Sequence, residues 1–460
     1  MPPFGKKRRP RKCHRCGERL KGHVCAVGDR DLTSEVPDEV LAKIISMLPT
    51  DDGIRTQTLS HRWSKLWQSA TLNLDDRDLH PWRWGDDLVA LITSILLSHP
   101  GPARRFSVTC LRRVSDAQGD RYPSIANWFQ SPALDKIEEL CFCYLLRTAR
   151  DPLPPSALRF TNLRVASYGN CHLPEDLGEG ISFPHLSTLT LQQLTNTEST
   201  LHALLSSCPT IKSLLLVDNK AFRNVRISSP SLITLGVSIE TGERVMEELI
   251  IVDAPIMVKL LLFNTDGGPT KLRLIHAPKL VVLGTMSSVM EDVQLGKSVF
   301  KNMTAISLIS FLQAVKIFSI SATGFQLKVV MDILKCFPCL EKLYFTSMAK
   351  ESGDQLNGDP SIECVLTHLK KIVLRNYRGR IDVAFARFFI SHAKKLKSME
   401  FRVPFPYDKN WEANERRRLP KLKDRASKIA QFKFVPGTFF KHYDDRHLTH
   451  DLSNYDPFEI

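Results

Sequence analysis

The residues best placed to do chemistry in this chain are cysteines and histidines near its start. Cys13-His14-Arg15-Cys16 is followed by His23-Val24-Cys25, so Cys13, Cys16, His23 and Cys25 offer four soft or borderline ligands within one short loop. Tetrahedral zinc asks for such a set, and Gly17 and Gly22 would allow the sharp turns that bring the pairs together. The spacing is compressed and the second pair is His-x-Cys, so free thiols on a solvated arm remain the alternative. A second Cys-x-x-Cys, Cys336-Phe337-Pro338-Cys339, lies inside an apolar pattern with Cys208 in an equivalent neighbourhood, which favours burial over redox chemistry. His185 and His276 sit beside prolines without an evident acid partner, and His442, His447 and His450 fall in a polar tail expected to be solvated. There is no glycine-rich phosphate loop, no His-Glu-x-x-His and no nucleophile elbow. The residues argue for a non-catalytic chain.

Charge bounds the partners. Lys and Arg outnumber Asp and Glu by 63 to 49, giving +14, and Lys6, Lys7, Arg8, Arg9, Arg11, Lys12, Arg15, Arg19 and Lys21 crowd the first 21 residues. A second basic stretch runs from Arg416 to Lys428. Nuclear import, a plain solvated tail and a nucleic-acid contact all fit such a cluster. A basic tail alone gives salt-sensitive, sequence-independent affinity, so nucleic-acid recognition has little to stand on. The opening residues lack the apolar stretch of a secretory signal, and no window approaches the roughly 18 apolar residues of a membrane span. Eleven scattered cysteines fit a reducing compartment, so nucleus and/or cytoplasm is the expected location.

The elements that must position any site begin at residues 35–67. Pro37 suits a helix start, Asp38 and Glu39 favour its positive end, and Val40, Leu41, Ile44, Ile45 and Leu48 recur at helical spacing until Pro49. Thr50 or Asp51 could cap a second short helix, and Ser60 a third carrying Trp63, Leu66 and Trp67. Helices this short are marginal alone, so the unit is built to be completed by another surface. The stretch resembles an F-box of the plant form: Pro37 to Leu41, Leu48-Pro49, and Leu59-Ser60-His61-Arg62-Trp63-Ser64-Lys65-Leu66-Trp67. Val36 stands where that family usually has Leu. The resemblance implies docking to a Skp-family adaptor and, through it, a cullin-based ubiquitin ligase. Pro37, Ile44, Leu48, Pro49, Leu59, Trp63, Leu66 and Trp67 would contact or shape that interface.

Past residue 87, Leu88, Leu91, Ile92, Ile95 and Leu96 form one helical stripe, expected to join this unit rigidly to the long C-terminal region. Then comes a repeat. Pro184 leads Leu186-Leu189-Leu191; Pro209 leads Ile211-Leu214-Leu216; Pro230, Pro255 and Pro338 begin similar frames, and Pro278 begins one that breaks at Thr285. The frame recurs without Pro at Ile137, Leu163, Val315, Leu369 and Leu396, at spacings of 21 to 29 residues with one gap of 35. That is the leucine-rich-repeat period, in which stacked units bury a continuous core. Short helices such as those carrying Leu201-Leu204-Leu205 and Val330-Ile333-Leu334 are expected to cover the other side. The Asn that usually closes the repeat loop is present at Asn219, whereas Leu194, Glu240 and Thr265 replace it elsewhere, so the repeats are irregular.

From residue 362, the chain runs through Glu363-Cys364-Val365-Leu366, His368-Leu369-Lys370-Lys371-Ile372, Asn376-Tyr377-Arg378-Gly379, a helix-like Val383 to His392 and Lys395 to Glu400. This series resembles the FBD region that ends many plant F-box proteins. The expected architecture is α/β: a small three-helix F-box, a curved leucine-rich-repeat solenoid and an FBD-like C-terminal cap. The boundaries are a basic Cys/His tail (1–30), F-box (31–75), helical bridge (76–130), repeats (131–355), FBD-like region (356–435) and tail (436–460). The implied function is substrate recognition for a Skp–cullin–F-box (SCF) ubiquitin ligase, with the solenoid holding a protein substrate. The alternative is a nuclear nucleic-acid-associated protein with a zinc-knuckle arm. A zinc knuckle predicts one metal per chain after purification in metal-free buffer, lost in the Cys13→Ser, Cys16→Ser variant. Metal-free protein at full concentration would leave the arm as free thiols.

Overall fold

Successive side chains of a strand point to opposite faces, so each Leu-x-Leu step buries one set and presents the other. In the computed structural model the described residues are 35–79, 86–111, 115–116, 119–120, 122–145, 151–175, 180–219, 221–239, 246–263, 269–287, 290–308, 312–322, 327–347, 366–379, 382–436 and 452–459. The zinc-ligand candidates Cys13, Cys16, His23 and Cys25, the basic N-terminal cluster and His442, His447 and His450 lie outside them.

Among the described residues, fourteen parallel strands form one curved sheet, laid side by side in chain order. They are Leu72–Asp75, Ala103–Leu111, Glu139–Tyr144, Val165–Gly169, Thr188–Gln192, Ser213–Val217, Thr234–Ser238, Lys259–Leu262, Val282–Ser287, Ile317–Ala322, Lys342–Ser347, Lys371–Arg375, Ser398–Val403 and Gln431–Pro436. One row of partners runs Leu140, Ala166, Leu189, Leu214, Leu235, Leu260, Leu283, Phe318, Leu343, Ile372 and Met399, all buried. The repeat frames read from the sequence are these strands. The sheet starts earlier than the repeats do, however: two strands, Leu72–Asp75 and Ala103–Leu111, fall within the F-box and bridge segments.

The far side of the core is not covered by helices throughout. Glu198–Ser206, Leu327–Leu334 and Val383–His392 are helical, but a six-stranded sheet takes over between them. Its strands are Asn224–Ser228, Glu248–Asp253, Lys271–Leu274, Asp292–Leu295, Ser298–Lys301 and Thr304–Ser307. The reason is local. Val225/Ile227, Leu249/Ile251, Leu272/Leu274 and Val293/Leu295 alternate at period two and are buried with the main core, leaving no helical stripe.

Asparagines tie neighbouring repeats more often than the single Asn219 suggests. Asn219 Oδ1 accepts from the Leu194 N–H at 2.9 Å, and its Nδ2 donates to the Leu191 carbonyl at 2.8 Å. Asn196 does the same for Leu173, at 2.7 and 2.8 Å, while Asn170 and Asn376 donate to the Tyr144 and Ser347 carbonyls. The break at Thr285 is a bulge: the register shifts between Leu283 and Met286, and Met286 takes the buried position. Gly284 is required there, because its φ is +144° and a Cβ would meet the Ser319 carbonyl oxygen at 2.5 Å.

The FBD-like region continues the solenoid with two strands, Lys371–Arg375 and Ser398–Val403, around the Val383–His392 helix. A basic helix, Lys409–Arg418, capped by Asp408 on the Trp411 N–H, then leads to a last strand, Gln431–Pro436. The expectation of a solvated tail fails for residues 452–459. Leu452 and Phe458 are buried, because apolar side chains on the sheet's second face meet them. Replacing Asn219 by Ala should strand the Leu194 N–H and Leu191 carbonyl and lower stability by about 1–3 kcal/mol, measured by urea titration against wild type.

Candidate protein-docking site

The F-box segment folds as α1 (Asp38–Met47), α2 (Thr50–Arg55) and α3 (His61–Ser69). Pro37 precedes α1, Leu48 leaves helical geometry before Pro49, and Ser60 caps α3 by accepting from the Trp63 N–H. Arg62 of α3 clamps the start of α1, donating to Asp38 at 2.7 Å and to the Val36 carbonyl at 2.6 Å.

Thr50 is not a cap. It is the first residue of α2, and its hydroxyl accepts from the Asp75 N–H at 2.9 Å while its own N–H donates to Asp78 at 3.1 Å. Asn73 Nδ2 donates to the Ser46 carbonyl at 2.6 Å. The helices α1 and α2 are therefore bonded to the first strand of the solenoid. Burial pushes the Asp75 carboxyl up, but Arg77 and Arg105 outweigh it and hold its pKa below the usual value. Trp67 completes the joint, edge-on to His99 at 4.6 Å beyond α4 (Asp86–Ser98), whose Leu88, Ile92, Ile95 and Leu96 are buried and Leu91 half-buried. Burial lowers the His99 pKa, so the ring packs neutral.

Fixing one face this way leaves the other bare. Leu41, Ile45, Leu66 and Trp67 are buried, whereas Val40 (47% exposed), Ile44 (44%), Met47 (74%) and Leu59 (65%) face solvent. Of the residues expected at the interface, Pro37, Ile44, Pro49 and Leu59 are exposed, and Leu48 and Trp63 are half-buried. Leu66 and Trp67 are internal, so their part is to shape the surface. Val40, part of the helical stripe, and Met47 are absent from that interface set, although Val40, Ile44 and Met47 at i, i+4, i+7 share one helical face. Each such side chain is already partly buried, so covering it contributes a part of the about 1.5–3 kcal/mol of a full burial.

A family profile described as "FBD-associated F-box protein At5g56370, LRR repeats" matches residues 125–345, and an FBD profile matches residues 359–401. With the relatives below, these two matches support a plant-type F-box/LRR/FBD protein. Its relatives in Arabidopsis thaliana include an F-box/FBD/LRR-repeat protein 31% identical over 45% of this chain and 48% of the relative. Another F-box/FBD/LRR-repeat protein is 24% identical over 82% of this chain and 78% of its own length. An FBD-associated F-box protein is 24% identical over 83% and 90% respectively. The chain thus spans about half of the first relative and most of the other two.

Elsewhere the described residues offer little reactive chemistry. Among the described residues no group of three or more His, Cys, Asp or Glu is arranged to hold a metal ion, and no helix is long and apolar enough to cross a membrane. His276 does have an acid, contrary to expectation: Asp253 Oδ1 lies 2.6 Å from its Nδ1, reached across adjacent repeats. Both side chains are exposed surface groups. His185 is also exposed. Cys336 is buried, which pushes its pKa up to about 11, while Cys339 is half-buried. At pH 8 only about one Cys336 in a thousand would be thiolate. Iodoacetamide at that pH should therefore leave Cys336 unmodified in the native chain and modify it after denaturation, read by peptide mass spectrometry. Rapid native labelling would restore a redox role for the Cys-x-x-Cys.

Proposed function

We propose that the chain is the substrate-recognition subunit of an SCF-type ubiquitin ligase. Its F-box docks a Skp-family adaptor, which links it to a cullin, and its repeats hold a protein substrate. The observation that carries this reading is the exposed apolar face of α1 and the turn ending at Leu59, displayed on helices whose other face is bonded to the solenoid. A docking module needs that combination: uncovered apolar side chains supply affinity, and a stiff mount keeps the bound substrate at a set distance from the ligase. The relatives' F-box names support the same reading. Catalysis would belong to the recruited ubiquitin-conjugating machinery, and the extended sheet suits a protein ligand. The reading places the chain in the nucleus and/or cytoplasm, where the ligase partners would be met.

Co-expression with a plant Skp-family adaptor followed by size-exclusion chromatography should give a stoichiometric complex. The Leu48→Ala, Trp63→Ala double variant should remove it, with a loss of at least about 2 kcal/mol and an unchanged melting profile for the solenoid. Wild-type affinity in that variant would show that the partner uses another surface.

A further inference from the structure

The second face of the main sheet, turned away from the helices and the six-stranded sheet, carries an ordered pattern of its own. In register across the ladder, one row reads Thr234, Lys259, Val282, Ile317, Lys342 and Lys371. The row two residues on reads Leu215, Gly236, Leu261, Gly284, then Ser319, Tyr344 and Val373. Beyond it Thr346 pairs with Arg375. Lysines thus line one side of an apolar, aromatic trough, and an arginine stands on the other.

Residues 452–459 lie in this trough and make every type of contact it offers. Leu452 and Phe458 are buried with Leu215, Leu261, Val282, Tyr344 and Val373. Gly236 makes the room, since a Cβ there would meet Leu215 at 2.8 Å and Leu452 at 3.2 Å. Lys259 Nζ donates to the carbonyls of Leu452, Ser453 and Asn454 at 2.9, 3.0 and 2.6 Å. Lys342 donates to Asp456 at 2.7 Å and to Glu459 at 3.1 Å, Lys371 pairs with Glu459, and the Tyr344 hydroxyl donates to Asp456 at 2.8 Å. Arg375 donates to the Phe458 carbonyl and stacks under the Tyr344 ring, 5.0 Å away, which in turn meets Phe458 at 5.4 Å. Burial works against the Lys342 charge, but Asp456 and Glu459 outweigh it and raise its pKa, while Lys371 and Lys342 lower that of Glu459.

We infer that this trough is a peptide-recognition site for an acidic segment bearing an aromatic residue in a turn, and that residues 452–459, which turn at Pro457-Phe458, occupy it in cis as a competing stand-in. The side chains that fix the stand-in define the ligand: an apolar residue, an acid four positions later, an aromatic two positions after that, and a second acid next to it. Backbone capture by Lys259 and Arg375 reads carbonyls and not side chains, so the sequence demands rest on Tyr344, Lys342, Lys371 and the apolar floor. The inference builds on the reading of the repeats as the substrate-holding part, and it names the chemistry of what they hold. A substrate segment of this kind would have to displace residues 452–459, so the site favours ligands that are tight or presented at high local concentration.

The test is fluorescence anisotropy with a labelled peptide, Leu-Ser-Asn-Tyr-Asp-Pro-Phe-Glu-Ile, added to the full chain. The Asp456→Lys, Phe458→Ala chain, whose own segment is released, should bind it saturably and at least about tenfold tighter than wild type, because a tethered competitor acts at millimolar effective concentration. A peptide with Lys at both acidic positions should not bind, and Lys342→Glu with Lys371→Glu in the released chain should reverse that preference. If the released chain does not fold, Asp456→Asn with Glu459→Gln, which removes the charges and keeps the shape, makes the same comparison. Absence of saturable binding by a folded released chain, or binding indifferent to peptide charge, would overturn the inference. Adaptor binding on size-exclusion chromatography is read separately: a chain that assembles with the adaptor but ignores the peptide loses this site and keeps its proposed function. A chain that binds the peptide but not the adaptor keeps the site and loses the function.

Discussion

Everything in this molecule hangs on the parallel ladder. Each strand pairs with its neighbour in a fixed register, so the same position in every repeat points the same way. One set of side chains therefore fuses into a single core, and the alternate set becomes a continuous second face. No repeat can bury its core side chains without its neighbours, so any surface the ladder displays is held in place by the whole stack. A local bulge such as that at Gly284 is tolerated because Met286 recovers the core position immediately afterwards.

The ladder also explains how a three-helix unit too small to be stable alone can present a bare apolar surface. The F-box does not hang from a linker. Thr50, Asn73 and Asp75 bond it to the first strand, and Trp67 packs on His99 at the end of α4. Leu41, Ile45, Leu66 and Trp67 are used in that attachment, and Val40, Ile44, Met47 and Leu59 stay outside. Attachment and display are two consequences of one partition of side chains.

The F-box helices and the strands were legible from the sequence because both depend on local periodicity: Val40, Ile44 and Leu48 at helical spacing, Leu189 and Leu191 at strand spacing. What escaped was set by contacts distant in the chain. Thr50 reads as a cap in sequence, yet its hydroxyl is taken by Asp75, 25 residues away. The six-stranded sheet was hidden because runs of only four to six alternating residues, such as Lys271–Leu274, are short enough to pass for connections. Asn196 and Asn376 lie off the repeat's usual Asn position, and only the structure shows them bridging to the preceding unit. The docking of residues 452–459 could not be read at all, since Lys259 and Leu452 are 193 residues apart and neither sits in a recognisable motif.

A Skp-family adaptor that binds the exposed face of α1 and the turn ending at Leu59 must shield the amides there and leave the solenoid as it was. Hydrogen–deuterium exchange on the full chain, with and without a plant Skp-family adaptor, reads both effects in one experiment. Exchange should slow only in residues 37–49 and 56–64, with the strands of the solenoid unchanged. Protection elsewhere with none in those segments, or no protection at saturating adaptor, would contradict an adaptor site on this face.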